Sequence, residues 1–553
     1  MDRSNPPSRT LSPVTWAWTL PLLIVFCWPK TLGPSVNVTP FTVGLLVVAL
    51  AGLVLRPAVP RAPLAWLAMV VALAWLGPAT EWLSKVALLA AAVATAVLLG
   101  LGRKASVQPR ITEALVTATV LAMVFNVAAA WLQFFDIERT LYPLVNLNPS
   151  ARPFGNFRQP NHLGTFAVLG LLSVWWRHRR GLDATPVTAV LALFAYSGVV
   201  LSGSRTGALE VMAVSICLLL WSRRWSRFEW AVFVAGPLWL WLMDTALQGL
   251  VPLLGGDIQA LPTRGVQGVG LRLTLWADTW QLALKHPLWG VGWGELGRAR
   301  FEQLPVRFGQ ENALNAHNLV LHVLAEFGLL GGALVLAPVL GLLWRLRPWV
   351  LARAHPEPHQ LTTLRWAWLV LVAVGLHSLT EYPLWYMPFI IPTAFVLGLL
   401  MASRPDRADH HRPATAAAAV ALSSALALAT VLVLVDYGRV SAAFDRQGRS
   451  LPDPALALSV QDTMLFRHYA DRALLERIPM TPERVPQTLA ATERLLSSGP
   501  NTLLLWVRLA ALCEAGRLAE AQALAQRFAT LYPEAHARYV ELKGPEALQR
   551  CGL

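Results

Sequence analysis

The chain is 553 residues long, 55% of them hydrophobic and only 14% charged, against about 25% charged in an ordinary soluble domain. A formal charge of +14 would suit nucleic acid if the cations shared one patch, but they are scattered through short segments between apolar blocks, which argues against that class of partner. The blocks run to roughly 17–25 residues, enough to cross about 30 Å of hydrocarbon at 1.5 Å per residue, and their number points to a polytopic membrane protein.

In chain order, hydropathy predicts helices near 14–29, 38–56, 63–79, 84–101, 111–134, 161–177, 185–201, 206–222, 229–246, 315–344, 362–378, 384–402 and 414–436. The expected fold class is therefore all-α, with about thirteen transmembrane helices. Trp16, Trp18, Trp28, Trp175, Trp176 and Trp385 stand near block ends, where an amphipathic ring suits the headgroup layer. The polar head 1–13 runs into the first block without a small-residue cleavage site, so the first span is expected to be retained.

Every second connection is cationic: Arg3 and Arg9; Arg56 and Arg61; Arg103, Lys104 and Arg110; Arg177, Arg179 and Arg180; Arg223, Arg224 and Arg227; Arg345, Arg347 and Arg353; Arg404, Arg407 and Arg412. These segments are expected on the cytoplasmic side. The long 247–314 loop and the chain beyond about 437 then fall on the outer side, which in a bacterium is the periplasm. Arg152, Arg158 and Arg205 break the charge rule locally; each is either a snorkelling cation or a group that meets an anionic ligand.

Beyond 437 the charge density rises, and Leu505, Leu509, Ala510, Leu512 and Leu518 take helical spacing. Residues 506–535 are similar to one tetratricopeptide hairpin of about 34 residues. A single such unit cannot bury its own face, so it is expected to pack on helices near 467–498 or on a partner; a generic helical cap fits the pattern equally well. Cys27 and Cys217 fall in apolar blocks. Cys513 and Cys551 lack metal-ligand spacing and either pair in an oxidising compartment or remain thiols.

Four strings on the expected outer side carry the polar chemistry: RPFGNFRQPNHLGT (152–165), SGSRTG (202–207), LRLTLWADTWQLALKHPLWGVGWG (271–294) and NAHNLVLHVLAEFG (315–328). Each lies at a span entrance. Gly203 and Gly207 flank Arg205 beside a helix start, where backbone amides favour an anion. Arg205 and Arg272 suit a diphosphate, held through charge-assisted bidentate bonds, with no cofactor and no metal required. His317, between Asn315 and Asn318, is either a structural histidine or the base that takes a hydroxyl proton. His322 and Glu326 share a helix face and can pair. His286, before Pro287 and the glycines 290, 292 and 294, opens either a plain turn or a loop whose backbone approaches a ligand. Tyr382, after His377 and Glu381, positions an acceptor or anchors in the interface.

Together these strings resemble the O-antigen ligase and polymerase (Wzy-C) superfamily, over roughly 150–400, through its SGSRTG-like, HPLxGxGxG-like and AHNxxL-like segments. The resemblance implies a GT-C-like, metal-independent, inverting glycosyltransferase that uses an undecaprenyl-diphosphate-linked glycan, with Arg205, Arg272 and His317 as its catalytic residues. FRQPNHLGT, EYPLWY (381–386) and the helical tail look most like the PglL-type protein O-oligosaccharyltransferases. That likeness implies substrate-binding roles for Gln159 and Tyr382, beside Arg158, Asn161, His162, Asn318 and His286, and a pilin-like acceptor protein; a ligase would instead use lipid A core. A flippase or permease without chemistry is the competing class, although such carriers place their site near the midplane. The expected organisation is N-terminal membrane helices (1–149), a catalytic membrane domain (150–402), a last membrane helix (403–436) and a TPR-like periplasmic domain (437–553).

Overall fold

A computed structural model describes residues 13–29, 32–78, 82–149, 152–221, 225–253, 266–305, 313–354, 357–403, 413–444 and 454–550. Arg3, Arg9, Arg223, Arg224, Arg404, Arg407, Arg412 and Cys551 lie outside them. Among the described residues every regular element is helical. The first eight helices are α1 (Pro13–Cys27), α2 (Val38–Leu55), α3 (Arg61–Leu76), α4 (Trp82–Ala105), α5 (Pro109–Phe134), α6 (Pro160–Arg179), α7 (Thr185–Ser202) and α8 (Arg205–Trp221). A short α9 (Arg227–Glu229) and a π-helical turn lead into α10 (Gly236–Leu253). Then come α11 (Val266–Lys285), α12 (Leu296–Gln303), α13 (Leu319–Arg345), α14 (Pro348–Ala354), α15 (Pro358–Ser378), α16 (Met387–Ala402) and α17 (Pro413–Ala442). The tail holds α18 (Pro454–Ser459), α19 (Arg467–Arg477), α20 (Val485–Leu495), α21 (Thr502–Glu514), α22 (Leu518–Leu531) and α23 (Pro533–Arg550).

Each segment that hydropathy marks as a helix contains one. Among the described residues, seven helices are long and apolar enough to cross a membrane (α2, α4, α5, α7, α13 running into α14, α15 and α17), or eight if the stretch from α9 to α10, bent by 57°, is one span. The chain is a multi-pass membrane protein. The remaining apolar helices fall short of the thirteen expected spans for visible reasons. α1, α3 and α16 are only 15 or 16 residues long, about 24 Å at 1.5 Å per residue, and α6 ends on Arg177, His178 and Arg179. Those cations are partnered: Arg177 bonds Asp183 at 2.7 Å, and Arg179 pairs with Glu229.

The bundle is knit by small residues. α4 and α16 cross so closely that a Cβ on Gly102 would collide with the Phe395 carbonyl oxygen, and one on Gly398 with that of Leu99. Without a hydrophobic drive between helices in lipid, such backbone approach is what van der Waals packing uses.

The expected 247–314 loop is largely helical where it is described, holding α11 and α12. Its glycines do more than turn the chain. Gly290, Gly292 and Gly294 have φ of 70°, 101° and 86°, a region open to glycine without steric penalty. The turn they form docks on a break in α13 at Gly328 (φ 76°), where Val291 N–H donates to Ala325 O at 2.9 Å and Gly292 N–H to Glu326 O at 3.0 Å. Below it, His322 and Glu326 pair at 3.3 Å.

In the tail, α21 and α22 form the expected hairpin around Gly516, and α20 packs against α21. Asn501 caps α21. Cys513 is disulfide-bonded, while Cys27 and Cys217 are free thiols. The tail also grips α12: Ser497 Oγ donates to Glu295 at 2.8 Å, Arg298 pairs with Glu493, Arg527 donates to the carbonyls of Phe301 and Glu302, and the Phe301 ring joins the tail's apolar core.

Candidate functional site

Four elements meet at the turn between α15 and α16. Its centre is Glu381, whose side chain is only 4% exposed. Glu381 Oε2 takes His317 Nδ1 at 2.6 Å. Oε1 accepts from Arg272 Nη2 at 2.5 Å and from Asn161 Nδ2 at 3.0 Å. Burial pushes this carboxyl up, but the hydrogen bond from His317 and the charge of Arg272 outweigh burial and hold it below the usual range. Glu381 therefore stays ionised at neutral pH. Above it, the Arg272 and His317 side chains remain about 30% and 27% exposed, so the buried anion supports two groups that face outward.

Each partner is fixed locally. Arg272 lies near the start of α11, and Trp276, one turn on, donates Nε1–H to Ala316 O at 3.0 Å, which seats the 315–317 turn against that helix. His317 has φ of +50°, a conformation that disfavours any side chain with a Cβ and marks a position held by its surroundings. The holders are Asn315, whose Oδ1 accepts from His317 N–H at 3.0 Å, and Asn318, which caps α13 through Leu321 N–H and donates Nδ2–H to Leu379 O at 3.1 Å. With Nδ1–H donated to Glu381, the lone pair of His317 sits on Nε2, the nitrogen that does not face the carboxylate. The Tyr382 ring stands edge-on to the imidazole, centroids 4.9 Å apart. Burial and the Glu381 charge push the Tyr382 phenol up, so it remains a hydrogen-bond donor.

Arg205 opens α8 and is exposed. The next residue, Thr206, bonds the Thr380 hydroxyl at 3.0 Å, which brings the SGSRTG turn beside Glu381. Arg152 braces the same turn from below: its guanidinium donates to Ser202 O at 2.9 Å, to Gly203 O at 3.3 Å and to Asn161 Oδ1 at 3.2 Å. A single chain of bonds thus runs from SGSRTG through Arg152 and Asn161 to Glu381 and His317.

Of the residues singled out in the sequence, Arg272, His317, Asn161, Asn318 and Tyr382 converge directly, and Arg205 joins them through Thr206. His162 is 2% exposed and packs edge-on to Tyr386 at 4.3 Å, a supporting position rather than a ligand-facing one. Gln159 caps α6, its Oε1 accepting from His162 N–H at 2.8 Å. Arg158 turns to Pro29 O and to Asn146 Oδ1 at 2.8 Å. His286 does not join the site: it bonds Gln303 of α12 at 2.7 Å and lies fourteen residues along from Arg272, about 20 Å by helical rise.

Sequence reasoning missed the central role of Glu381 and the bracing by Arg152. The signal that could have found Glu381 was electrostatic: two arginines and a histidine expected on one surface call for a nearby anion, and EYPLWY offers one in the last outer connection.

Three family models match parts of the chain. One described as O-Antigen ligase matches 187–336, one described as Protein glycosylation ligase matches 153–178, and one described as Virulence factor membrane-bound polymerase, C-terminal, matches 365–545. Among curated proteins, a General O-oligosaccharyltransferase from Acinetobacter baylyi is 27% identical over 295 residues, 50% of this chain and 48% of that one. A ComP-specific O-oligosaccharyltransferase from the same organism is 20% identical over 304 residues, 55% of this chain and 54% of that one. The matches span about half the length of these relatives. The SGSRTG, HPLWGVGWG and AHN strings lie inside the matched regions, and the chain resembles the O-antigen ligase and polymerase superfamily and is similar to these O-oligosaccharyltransferases.

Proposed function

We propose that the chain transfers a glycan en bloc from an undecaprenyl-diphosphate carrier to Ser or Thr hydroxyls of pilin-like proteins, at the periplasmic face of a bacterial inner membrane that it crosses about thirteen times. The observation that carries this reading is His317 locked by Nδ1 onto Glu381 beside Arg272. That geometry leaves Nε2 to take the proton of the acceptor hydroxyl as its oxygen attacks the anomeric carbon. The bond from that carbon to the diphosphate breaks, its electron pair stays on the diphosphate oxygen, and Arg205 and Arg272 stabilise the charge. The leaving group needs no acid, and the proton on His317 passes to the departing diphosphate in the next step. A single displacement of this kind inverts the anomeric centre and calls for no metal. Tyr382 and Asn161 position the reacting groups, and the tail is a periplasmic domain of TPR-like build. The cationic connections and the disulfide at Cys513 support the assigned sidedness.

Ligation to lipid A core is the second reading, favoured by the O-Antigen ligase match over 187–336. Purified full-length chain, supplied with a lipid-linked glycan and either pilin or lipid A core, is expected to glycosylate pilin; product on lipid A core alone would reverse the choice. In the same assay His286→Ala, which lies outside the Glu381 cluster, is expected to stay within about twofold of wild type. A loss of tenfold or more would bring the 286–294 turn into the acceptor path.

A further inference from the structure

Glu381 holds more than a carboxylate that merely orients a histidine requires. Its Oε2 serves His317, while Oε1 is shared between Arg272 and Asn161. Arg272 is also one of the guanidiniums assigned above to the donor, so Glu381 and the donor diphosphate compete for one group.

We propose that Glu381 is a positioning residue that works by exchange: it holds Arg272 until the donor diphosphate takes that guanidinium, after which its charge serves His317 alone. The inference rests on the glycan-transfer reading. A diphosphate offers a guanidinium several oxygens and more than one charge, in a geometry that accepts two parallel bonds, whereas Glu381 offers Arg272 one oxygen that it shares. Release of Arg272 does not strand the carboxylate. Asn161 remains on Oε1, and its own side chain is held by Arg152 at 3.2 Å, so Glu381 keeps a neutral donor on one oxygen and His317 on the other. His162 and Tyr382 also face it but bring no competing anion. When the acceptor proton reaches Nε2, the imidazolium forms against an undivided negative charge. Support for the base is thereby greatest when a donor is bound, and an acceptor hydroxyl that arrives first meets a weaker one.

The test measures binding of undecaprenyl diphosphate to the detergent-solubilised full-length chain, together with transfer at saturating donor. Glu381→Gln keeps the shape and frees Arg272. It is expected to tighten lipid diphosphate binding roughly 3- to 10-fold while slowing transfer by about tenfold or more. Glu381→Asp, which keeps the charge, is expected to restore part of the transfer rate. In an Arg272→Gln background, Glu381→Gln is expected to leave affinity within about twofold. Weakened or unchanged binding in Glu381→Gln overturns the exchange, as does an equal gain with Arg272 absent. If Glu381→Gln melts before it can be measured, Asn161→Asp gives the reverse test: a second carboxylate beside the Glu381 oxygen that holds Arg272 is expected to weaken binding, and unchanged or tighter binding counts against the proposal. Binding is read without glycan or acceptor, so this cycle and transfer to protein can fail independently.

Discussion

Replacement of His317 by alanine is expected to lower glycan transfer about 10²- to 10⁴-fold, the range a positioned general base contributes, while undecaprenyl diphosphate binds within about threefold of wild type. The separation follows from the geometry. His317 meets Glu381 through Nδ1, which leaves Nε2 for the proposed acceptor, whereas the proposed donor contacts are Arg205 and Arg272. A hydroxyl attacking an anomeric centre without a base must shed its proton to water, and the arginines cannot accept it. Single-turnover transfer from preloaded donor, with binding measured in parallel, checks both halves. Transfer within tenfold of wild type would remove His317 from the chemistry. Intact transfer accompanied by loss of lipid translocation would favour the carrier reading.

The second large effect is on the fold. Gly102→Ala is expected to destabilise the bundle by about 1–3 kcal/mol or more, the range for overpacking a close-packed interior. The added methyl would meet the Phe395 carbonyl oxygen, a backbone atom that moves only if α4 or α16 moves. α16 begins at Met387, directly after the turn that carries Glu381 and Tyr382, so a shift of this helix reaches the site. Gly375→Ala in α15 is the control. Its Cβ would meet nothing within 4 Å, and removing a helical glycine is expected to stabilise by roughly 0.5–1 kcal/mol. Thermal unfolding in one detergent should move the two variants in opposite directions; equal behaviour would show that the α4–α16 approach has slack.

Helix positions in the membrane were legible because each is a long apolar block set off by cations, glycine or proline. The pairing of His322 with Glu326 was legible too, since four residues along a helix fix a shared face. What escaped were contacts between distant parts of the chain. Glu381 lies 64 residues from His317 and 109 from Arg272, and no local periodicity links them. α11 and α12 were hidden because Arg272, Asp278, Gln281, Arg298, Arg300 and Glu302 break up the apolar run that marks a span. Gln159 was legible as a polar residue before a helix, but its bond to His162 N–H shows its side chain completing the helix start. The glycines 290, 292 and 294 announced a turn; that it would dock on a break at Gly328 depended on a second segment of the sequence.

The grip of the tail on α12 sets a rule for building hybrids. Ser497, Glu493 and Arg527 hold residues 295–302, and Trp293, just ahead of them, stacks on Trp385 at 5.9 Å, three residues from Tyr382. A graft that exchanges only the chain beyond 437 would pair a foreign tail with a native socket and leave these bonds mismatched. The transplantable unit is the tail together with 293–304, and acceptor preference, if it travels, should travel with both.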